Sequence, residues 1–198
     1  HVLLTMNLPN KLTVLRLILT FVFVGVVAAE FPFSKTIALL VFSVAAITDI
    51  MDGHIARKHN LITSFGKLMD PLADKILMCS AFVVLCAENL IPAWVVVVIL
   101  AREFIVTGIR LVATSQGAVL AADNLGKLKT IFQISTVVYF LLFLASKETP
   151  LGSFAPLFEW KWFSPVIFGQ TLLALSLITT LVSGLNYLLN NRHLLADC

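Results

Sequence analysis

Charged residues are scarce in this sequence. Lys, Arg, Asp and Glu make up 13% of its 198 residues, whereas a soluble domain typically has roughly 25%. Hydrophobic residues make up 59%, the mean hydropathy is +0.98, and apolar runs long enough to cross a bilayer recur along the chain. These features exclude an ordinary soluble domain. They predict an all-α polytopic membrane protein, because helices satisfy their own backbone hydrogen bonds in lipid.

Cysteine is also rare, and several familiar motifs are missing. Of the three cysteines, Cys79 and Cys86 lie seven residues apart on one predicted helix, roughly 10 Å along its axis and too far for a disulfide within it. We expect all three thiols to be free, with no zinc site. The chain has no P-loop, dinucleotide fingerprint or Ser-His-Asp arrangement. A net charge of +3 is small, and we expect no nucleic-acid partner.

Six membrane spans are predicted from the hydrophobic runs. Five of them cover about 13–29, 35–58, 66–87, 91–113 and 165–189, and the remaining one, the fifth in chain order, follows Lys129 and ends at Ala145. The longest loop is 146–164, where Trp160 and Trp162 are expected at the membrane interface. We expect one domain over 6–192. Residues 1–5 are expected to be a cloning remnant or a short extension before a natural start at Met6.

The basic residues are distributed unevenly between the two sides of this six-span arrangement. Ten fall on the side of the termini: Lys11, Arg16, Arg57, Lys58, Lys67, Lys75, Arg110, Lys127, Lys129 and Arg192. Three fall on the other side (Lys35, Lys147 and Lys161), and Arg102 lies within a span. The positive-inside rule therefore predicts an integral protein of the cytoplasmic (inner) membrane with cytosolic termini.

Four aspartates lie between residues 49 and 74, at the predicted cytosolic ends of two helices. Helical periodicity places Asp49 and Asp52 on one face, and it places Asp70 and Asp74 on one face of the next helix. Four carboxylates at close quarters require a cation, and an all-oxygen cluster suits Mg²⁺ or Mn²⁺. Such a set can hold two ions roughly 3.5–4 Å apart, an arrangement used in phosphoryl displacement. The alternative is salt bridging to nearby basic residues at a wet helix end.

Small and basic residues border these aspartates. Gly53, Ala56 and Gly66 leave room for close helix packing or for a bulky ligand to approach the backbone. Arg57 provides a planar fork for phosphate oxygens. The residues therefore indicate a phosphate-containing ligand beside the metal site.

The whole stretch reads D-x2-D-G-x2-A-R-x8-G-x3-D-x3-D from Asp49 to Asp74, and it resembles the signature of the CDP-alcohol phosphatidyltransferases at every fixed position. The resemblance implies that Asp49, Asp52 and Asp70 bind metal, while Asp74 binds metal and acts as the general base. It implies CDP-diacylglycerol as a substrate and a homodimeric assembly. The residues expected at the CDP-diacylglycerol site are Asn10, Thr13, Gly53, Ala56, Arg57, Thr63 and Gly66.

A second basic set predicts an acceptor that carries a phosphate. Arg110, Lys127 and Lys129 lie at the cytosolic ends of spans four and five, where they provide an anion pocket or, alternatively, only topology signals. The strings 102–110 and 126–130 resemble the family branch that makes phosphatidylglycerol phosphate, whose acceptor is sn-glycerol 3-phosphate. Inositol phosphate and serine are the alternative acceptors. Arg102 and Glu103 are expected to pair with neighbouring helices.

A divalent-cation channel or carrier is the rival function of another class. Its path should show polar residues at successive depths in the membrane. Here the ionisable residues cluster at one face, and spans five and six have no acidic residue in their cores. The pattern therefore favours the transferase.

Overall fold

The structure is a computed structural model that describes residues 8–59, 64–115 and 124–190. At positions 8–10, 49–59, 64–71, 74, 112, 114–115 and 124 it describes the backbone only.

The described residues form helices joined by short turns, without strands, which confirms the all-α part of the predicted fold class. Its helices are α1 (Leu8–Ala28), α2 (Ser34–His59), α3 (Ser64–Ala87), α4 (Ala93–Ser115), α5 (Asn124–Ala145), α6 (Ala155–Glu159) and α7 (Gln170–Asn190). The six long helices begin and end within a few residues of the predicted spans, except that α1, α5 and α7 each begin about five residues from the predicted start. The segment 146–164 is more ordered than the predicted loop, since short 3-10 helices at 149–154 and 161–163 flank α6.

Three helical segments of the described chain are long and apolar enough to cross a membrane: Lys11–Ala28, Leu125–Ala145 and Lys161–Asn190. Shorter apolar segments lie at Ser34–Thr48 and Lys75–Ala87, because α2 and α3 carry the polar motif at their adjoining ends. Helix α4 carries Arg102, Glu103 and Arg110. These helices suit an integral membrane protein, while the count of six spans stays a prediction.

Helix α1 packs along both α2 and α3, and α5 packs along α7 and α2. The buried stripe of α1 has helical spacing and contains Thr13, Arg16, Thr20, Phe23 and Val27. The Phe23 ring meets the Phe42 ring of α2 with 5.8 Å between centroids. Large apolar side chains also cover the outside, as expected of helices that face lipid.

Polar contacts join the connections at the end opposite the aspartates. Glu148 caps α2: its carboxylate accepts hydrogen bonds from the backbone N–H groups of Lys35 (2.9 Å) and Thr36 (2.8 Å) and from the Thr36 hydroxyl (2.7 Å). The Lys35 ammonium also pairs with Glu88 beyond the end of α3. Burial alone would raise the pKa of Glu148, but these hydrogen bonds hold it below its ordinary value. This network ties three connections together.

Tyr139 lies at the centre of an aromatic cluster at the same end. Its hydroxyl donates to the carbonyl of Phe163 at 2.6 Å, and its ring contacts those of Phe158, Phe163 and Phe168. These contacts hold α6 and the adjoining 3-10 turn against α5. Neither Cys79 nor Cys86 is in a disulfide bond, and Cys198 lies outside the described residues.

Candidate active site

The aspartate motif lies on the adjoining ends of two consecutive helices. Asp49 and Asp52, with Gly53, Ala56 and Arg57, occupy the last three turns of α2. Gly66, Asp70 and Asp74 occupy the first three turns of α3. This confirms the helical placement on which the sequence argument depended. Thr63, between the two helices, lies outside the described residues.

The aspartate positions continue the buried stripes of these helices. On α2 the stripe contains Ala38, Phe42 and Ala45, and a repeat of three to four residues extends it to positions 49 and 52. On α3 the stripe contains Ala73, Leu77 and Ala81, and the same repeat extends it to position 70. Both helices pack on α1. The register therefore fits the predicted gathering of acidic positions, while the carboxylates themselves are beyond what the structure describes.

The donor set at these positions fits a hard divalent cation, since it consists of carboxylate oxygens on two helices. Among the residues whose side chains are described, no three His, Cys, Asp or Glu residues come together as a metal site. The metal assignment therefore depends on the four motif aspartates.

Helix α1 carries Asn10 and Thr13, the two predicted amino-terminal ligand residues. Asn10 lies in its first turn, where only the backbone is described. Thr13 and Arg16 are fully buried on the stripe of α1 defined above. In the sequence, Arg16 is marked only as one of the basic residues on the predicted cytosolic side.

The second basic set has a partner that the sequence argument did not identify. The ammonium of Lys129, on α5, forms an ion pair with Glu103 on α4. Arg102 also contacts Glu103 (Nη1 to Oε1, 3.3 Å) and donates to Ser183 Oγ on α7 at 2.8 Å. Arg102 and Glu103 thus pair with neighbouring helices, as predicted. The side chains of Lys129, Arg102 and Glu103 are only 8–13% exposed, so little water screens their charges.

Arg110 and Lys127 are exposed and lie on the same side of that ion pair. Arg110 is two turns further along α4, and Lys127 precedes Lys129 on α5, so both lie toward the connection between these helices. The Arg110 guanidinium sits 6.0 Å from the centre of the Tyr187 ring on α7, within cation–π range. These two side chains are better placed than Lys129 to receive an anion.

Helix α7 contributes contacts to the two α4 arginines that the sequence did not indicate. A Cβ atom at Gly184 would lie 2.9 Å from Cγ of Arg102, so glycine makes room for the arginine stem. Ser183 and Tyr187 contact the two α4 arginines. In the sequence, only Glu103 indicates such contacts, because it is a carboxylate within an apolar run. Small or aromatic residues on a membrane helix are too common to indicate such contacts.

An open cleft of about 250 Å³ lies between α4 and α7 beside Arg102. Its walls include Val98, Ile105, Leu181 and Leu185, and the lining is almost wholly apolar. Such a surface suits hydrocarbon and not phosphate. The cleft is therefore distinct from the polar site.

Comparisons with known proteins match most of the chain. A family model described as CDP-alcohol phosphatidyltransferase matches residues 6–182. A CDP-diacylglycerol–glycerol-3-phosphate 3-phosphatidyltransferase of Bacillus subtilis (strain 168) is 43% identical over 166 residues, covering 78% of this chain and 86% of the relative. A Rickettsia typhi protein of the same name is 34% identical over 181 residues (91% and 94%). A probable phosphatidylglycerophosphate synthase of Mycobacterium tuberculosis (H37Rv) is 39% identical over 139 residues (69% and 66%). With its intact aspartate motif on two adjoining helices, this chain belongs to the CDP-alcohol phosphatidyltransferase family.

Proposed function

We propose that this chain transfers the phosphatidyl group of CDP-diacylglycerol to sn-glycerol 3-phosphate, giving phosphatidylglycerol phosphate and CMP. The observation that carries the proposal is the 43% identity, over 78% of this chain, to the Bacillus subtilis enzyme whose name states this donor and this acceptor. Inositol phosphate and serine are the competing acceptors.

The four motif aspartates, Asp49, Asp52, Asp70 and Asp74, are the proposed ligands for Mg²⁺ or Mn²⁺, with two ions as the expected number. A bound divalent ion polarises phosphoryl oxygens and offsets the charge that develops on them. Gathering the carboxylates without a cation would set like charges against each other. We therefore expect the protein to require a divalent ion.

The proposed reaction is a direct displacement at phosphorus. Asp74 accepts the proton of the free primary hydroxyl of glycerol 3-phosphate. The hydroxyl oxygen forms a bond to the β-phosphorus of CDP-diacylglycerol, and the bond from that phosphorus to the bridging oxygen breaks, so that CMP leaves with the electron pair. Arg57 holds the diphosphate oxygens. Catalysis depends on positioning and charge stabilisation, without a covalent enzyme intermediate.

The donor site is proposed to comprise Asn10, Thr13, Gly53, Ala56, Arg57, Thr63 and Gly66. For the acceptor phosphate we propose Arg110, Lys127 and Lys129. Arg110 and Lys127 are the direct contacts, because both are exposed. Lys129 adds less positive charge to a ligand, because Glu103 already pairs with its ammonium. A negatively charged acceptor fits this set better than serine does.

The same proposal places the active site at the cytosolic face of the cytoplasmic (inner) membrane, with six spans and both termini in the cytosol. Ten basic residues on that side against three on the other support this orientation. A homodimer is the assembly that the family resemblance implies.

The test is CMP release by the purified protein in lipid–detergent micelles containing CDP-diacylglycerol and Mg²⁺. Glycerol 3-phosphate, inositol phosphate and serine are compared as acceptors. We expect release only with glycerol 3-phosphate. Asp74→Asn should lower the rate by about 100-fold or more because it removes the general base. Glu159→Gln, which changes an exposed carboxylate on α6, is the matched control and should leave the rate unchanged.

Other results would change the proposal. Release with another acceptor would retain the family chemistry and overturn the proposed roles of Arg110, Lys127 and Lys129. Metal binding without CMP release from any acceptor would instead favour the cation carrier.

A further inference from the structure

Arg16 is the largest fully buried side chain among the described residues, with 0% of its surface exposed. It lies on α1 between Thr13 and Thr20, which are also buried, and its backbone carbonyl accepts a hydrogen bond from the Thr20 hydroxyl at 2.8 Å. A guanidinium keeps its charge in proteins. A buried arginine is therefore stable only where anionic or polar groups of the protein surround it.

The packing of α1 on α2 indicates which segment of α2 lies beside Arg16. The two helices are consecutive and joined by a short turn, so they run antiparallel, and Phe23 meets Phe42. Seven residues make two turns and return to the same face. Seven residues back from Phe23 is Arg16, and seven residues on from Phe42 is Asp49. The two positions are therefore level, to within about a turn.

Two further features agree with this register. Long side chains on a helix lean toward its amino terminus, which for Arg16 is the direction of the later motif positions on α2. Helix α1 also packs along α3, where helical periodicity extends the stripe of Ala73 and Leu77 to position 70. Arg16 therefore lies on a helix that packs against both of the helices that carry the aspartates.

The other described carboxylates are engaged elsewhere or are distant. Glu88 pairs with Lys35, Glu103 with Lys129, and Glu148 caps α2. Glu30 lies beyond the opposite end of α1, about 21 Å along the helix axis from Arg16. Glu159 is exposed on α6, which packs near Tyr139 at the end opposite the aspartates. The motif aspartates are thus the acidic positions that the described packing brings to Arg16.

We infer that Arg16 is a positioning residue of the active site that holds the Asp49 carboxylate through a buried ion pair. This inference rests on the proposed function, in which Asp49 binds metal. A partner that orients a ligating carboxylate is typically worth 10- to 100-fold in metal affinity or activity.

The test is a Mn²⁺ titration of the purified full chain without lipid substrate, following the paramagnetic resonance signal of the free ion. Arg16→Gln should weaken Mn²⁺ binding by about 10-fold or more. Arg16→Lys keeps the charge without the planar fork, so it should recover part of the affinity. Lys11→Gln is the matched control, because Lys11 is an exposed cation on the same helix, and it should bind Mn²⁺ as wild type does. Affinity for CMP at saturating Mn²⁺ should stay within about twofold in all variants.

A double-mutant comparison identifies the partner. In an Asp49→Asn background, Arg16→Gln should cause little further loss of Mn²⁺ affinity, whereas fully additive losses would exclude Asp49. Unchanged Mn²⁺ affinity in Arg16→Gln would overturn the inference, as would a loss confined to CMP binding, which would place Arg16 on the nucleotide phosphate. If Arg16→Gln does not fold, Arg16→Lys decides: Mn²⁺ affinity equal to wild type would overturn the inference.

The wild-type protein separates this inference from the proposed function. Wild type that neither binds Mn²⁺ nor releases CMP would overturn both. If the wild type binds Mn²⁺ and releases CMP while Arg16→Gln binds Mn²⁺ as tightly as the wild type, only the inference about Arg16 is overturned.

Discussion

Replacing Glu103 with glutamine tests whether the ion pair between α4 and α5 stabilises the fold. The substitution preserves the size of the side chain and removes its charge. Glu103 is the carboxylate that both Lys129 and Arg102 contact, and these side chains are only 8–13% exposed. Removing one member of a buried pair leaves an uncompensated charge and typically costs about 3–5 kcal/mol. We expect Glu103→Gln to lower the free energy of unfolding by an amount in this range.

The assay is reversible unfolding in mixed lipid–detergent micelles, with Glu159→Gln as the control for loss of an exposed carboxylate. A second variant, Glu103→Gln with Lys129→Met, also removes the ammonium. It should recover much of the lost stability, since buried pairs can often be replaced by apolar residues at little cost. A loss below about 1 kcal/mol in the single variant would match a solvated surface pair and would refute the reasoning.

Two further substitutions test the packing and the cap. Gly184→Ala places a Cβ 2.9 Å from Arg102 Cγ and should lower the free energy of unfolding by about 1–3 kcal/mol. Gly108→Ala, where a Cβ meets nothing within 4 Å, is the control and should leave that free energy unchanged. Equal unfolding free energies for the two variants would contradict this reasoning. The pKa of Glu148 is lowered in the fold, so its cap on α2 contributes fully above the ordinary value of 4.5 and is lost as pH falls through the folded value. Thermal unfolding from pH 7 to 3 should therefore show a steeper loss of stability in wild type than in Glu148→Gln, and parallel curves would exclude the cap as its source.

The helices were largely predictable because each is a long apolar run bounded by polar residues. Helix α2 was predicted at 35–58 and observed at Ser34–His59, and α3 was predicted at 66–87 and observed at Ser64–Ala87. The segment 146–164 was not predictable in the same way. Its short helices form where aromatic rings pack on Tyr139, and such contacts have no local periodicity.

In the candidate site, too, some features follow from local helical spacing and others depend on tertiary contacts. Helical spacing within one short stretch was enough to place the aspartates on common faces, because neighbours at three and four residues are set by the helix itself. The pairing of Lys129 with Glu103 joins residues 26 positions apart. That partner is selected only by tertiary packing, in which α4 and α5 both pack on α7.

By itself, the sequence determined the helical membrane class, the approximate bounds of the long helices and the acidic motif, since composition and local periodicity encode all three. Only the tertiary structure decided that Glu103 pairs with Lys129, that Gly184 makes room for Arg102, and that Arg16 lies fully buried. The physical reason is that an ion pair or a buried charge depends on which helices are neighbours, and side chains distant in sequence set that choice.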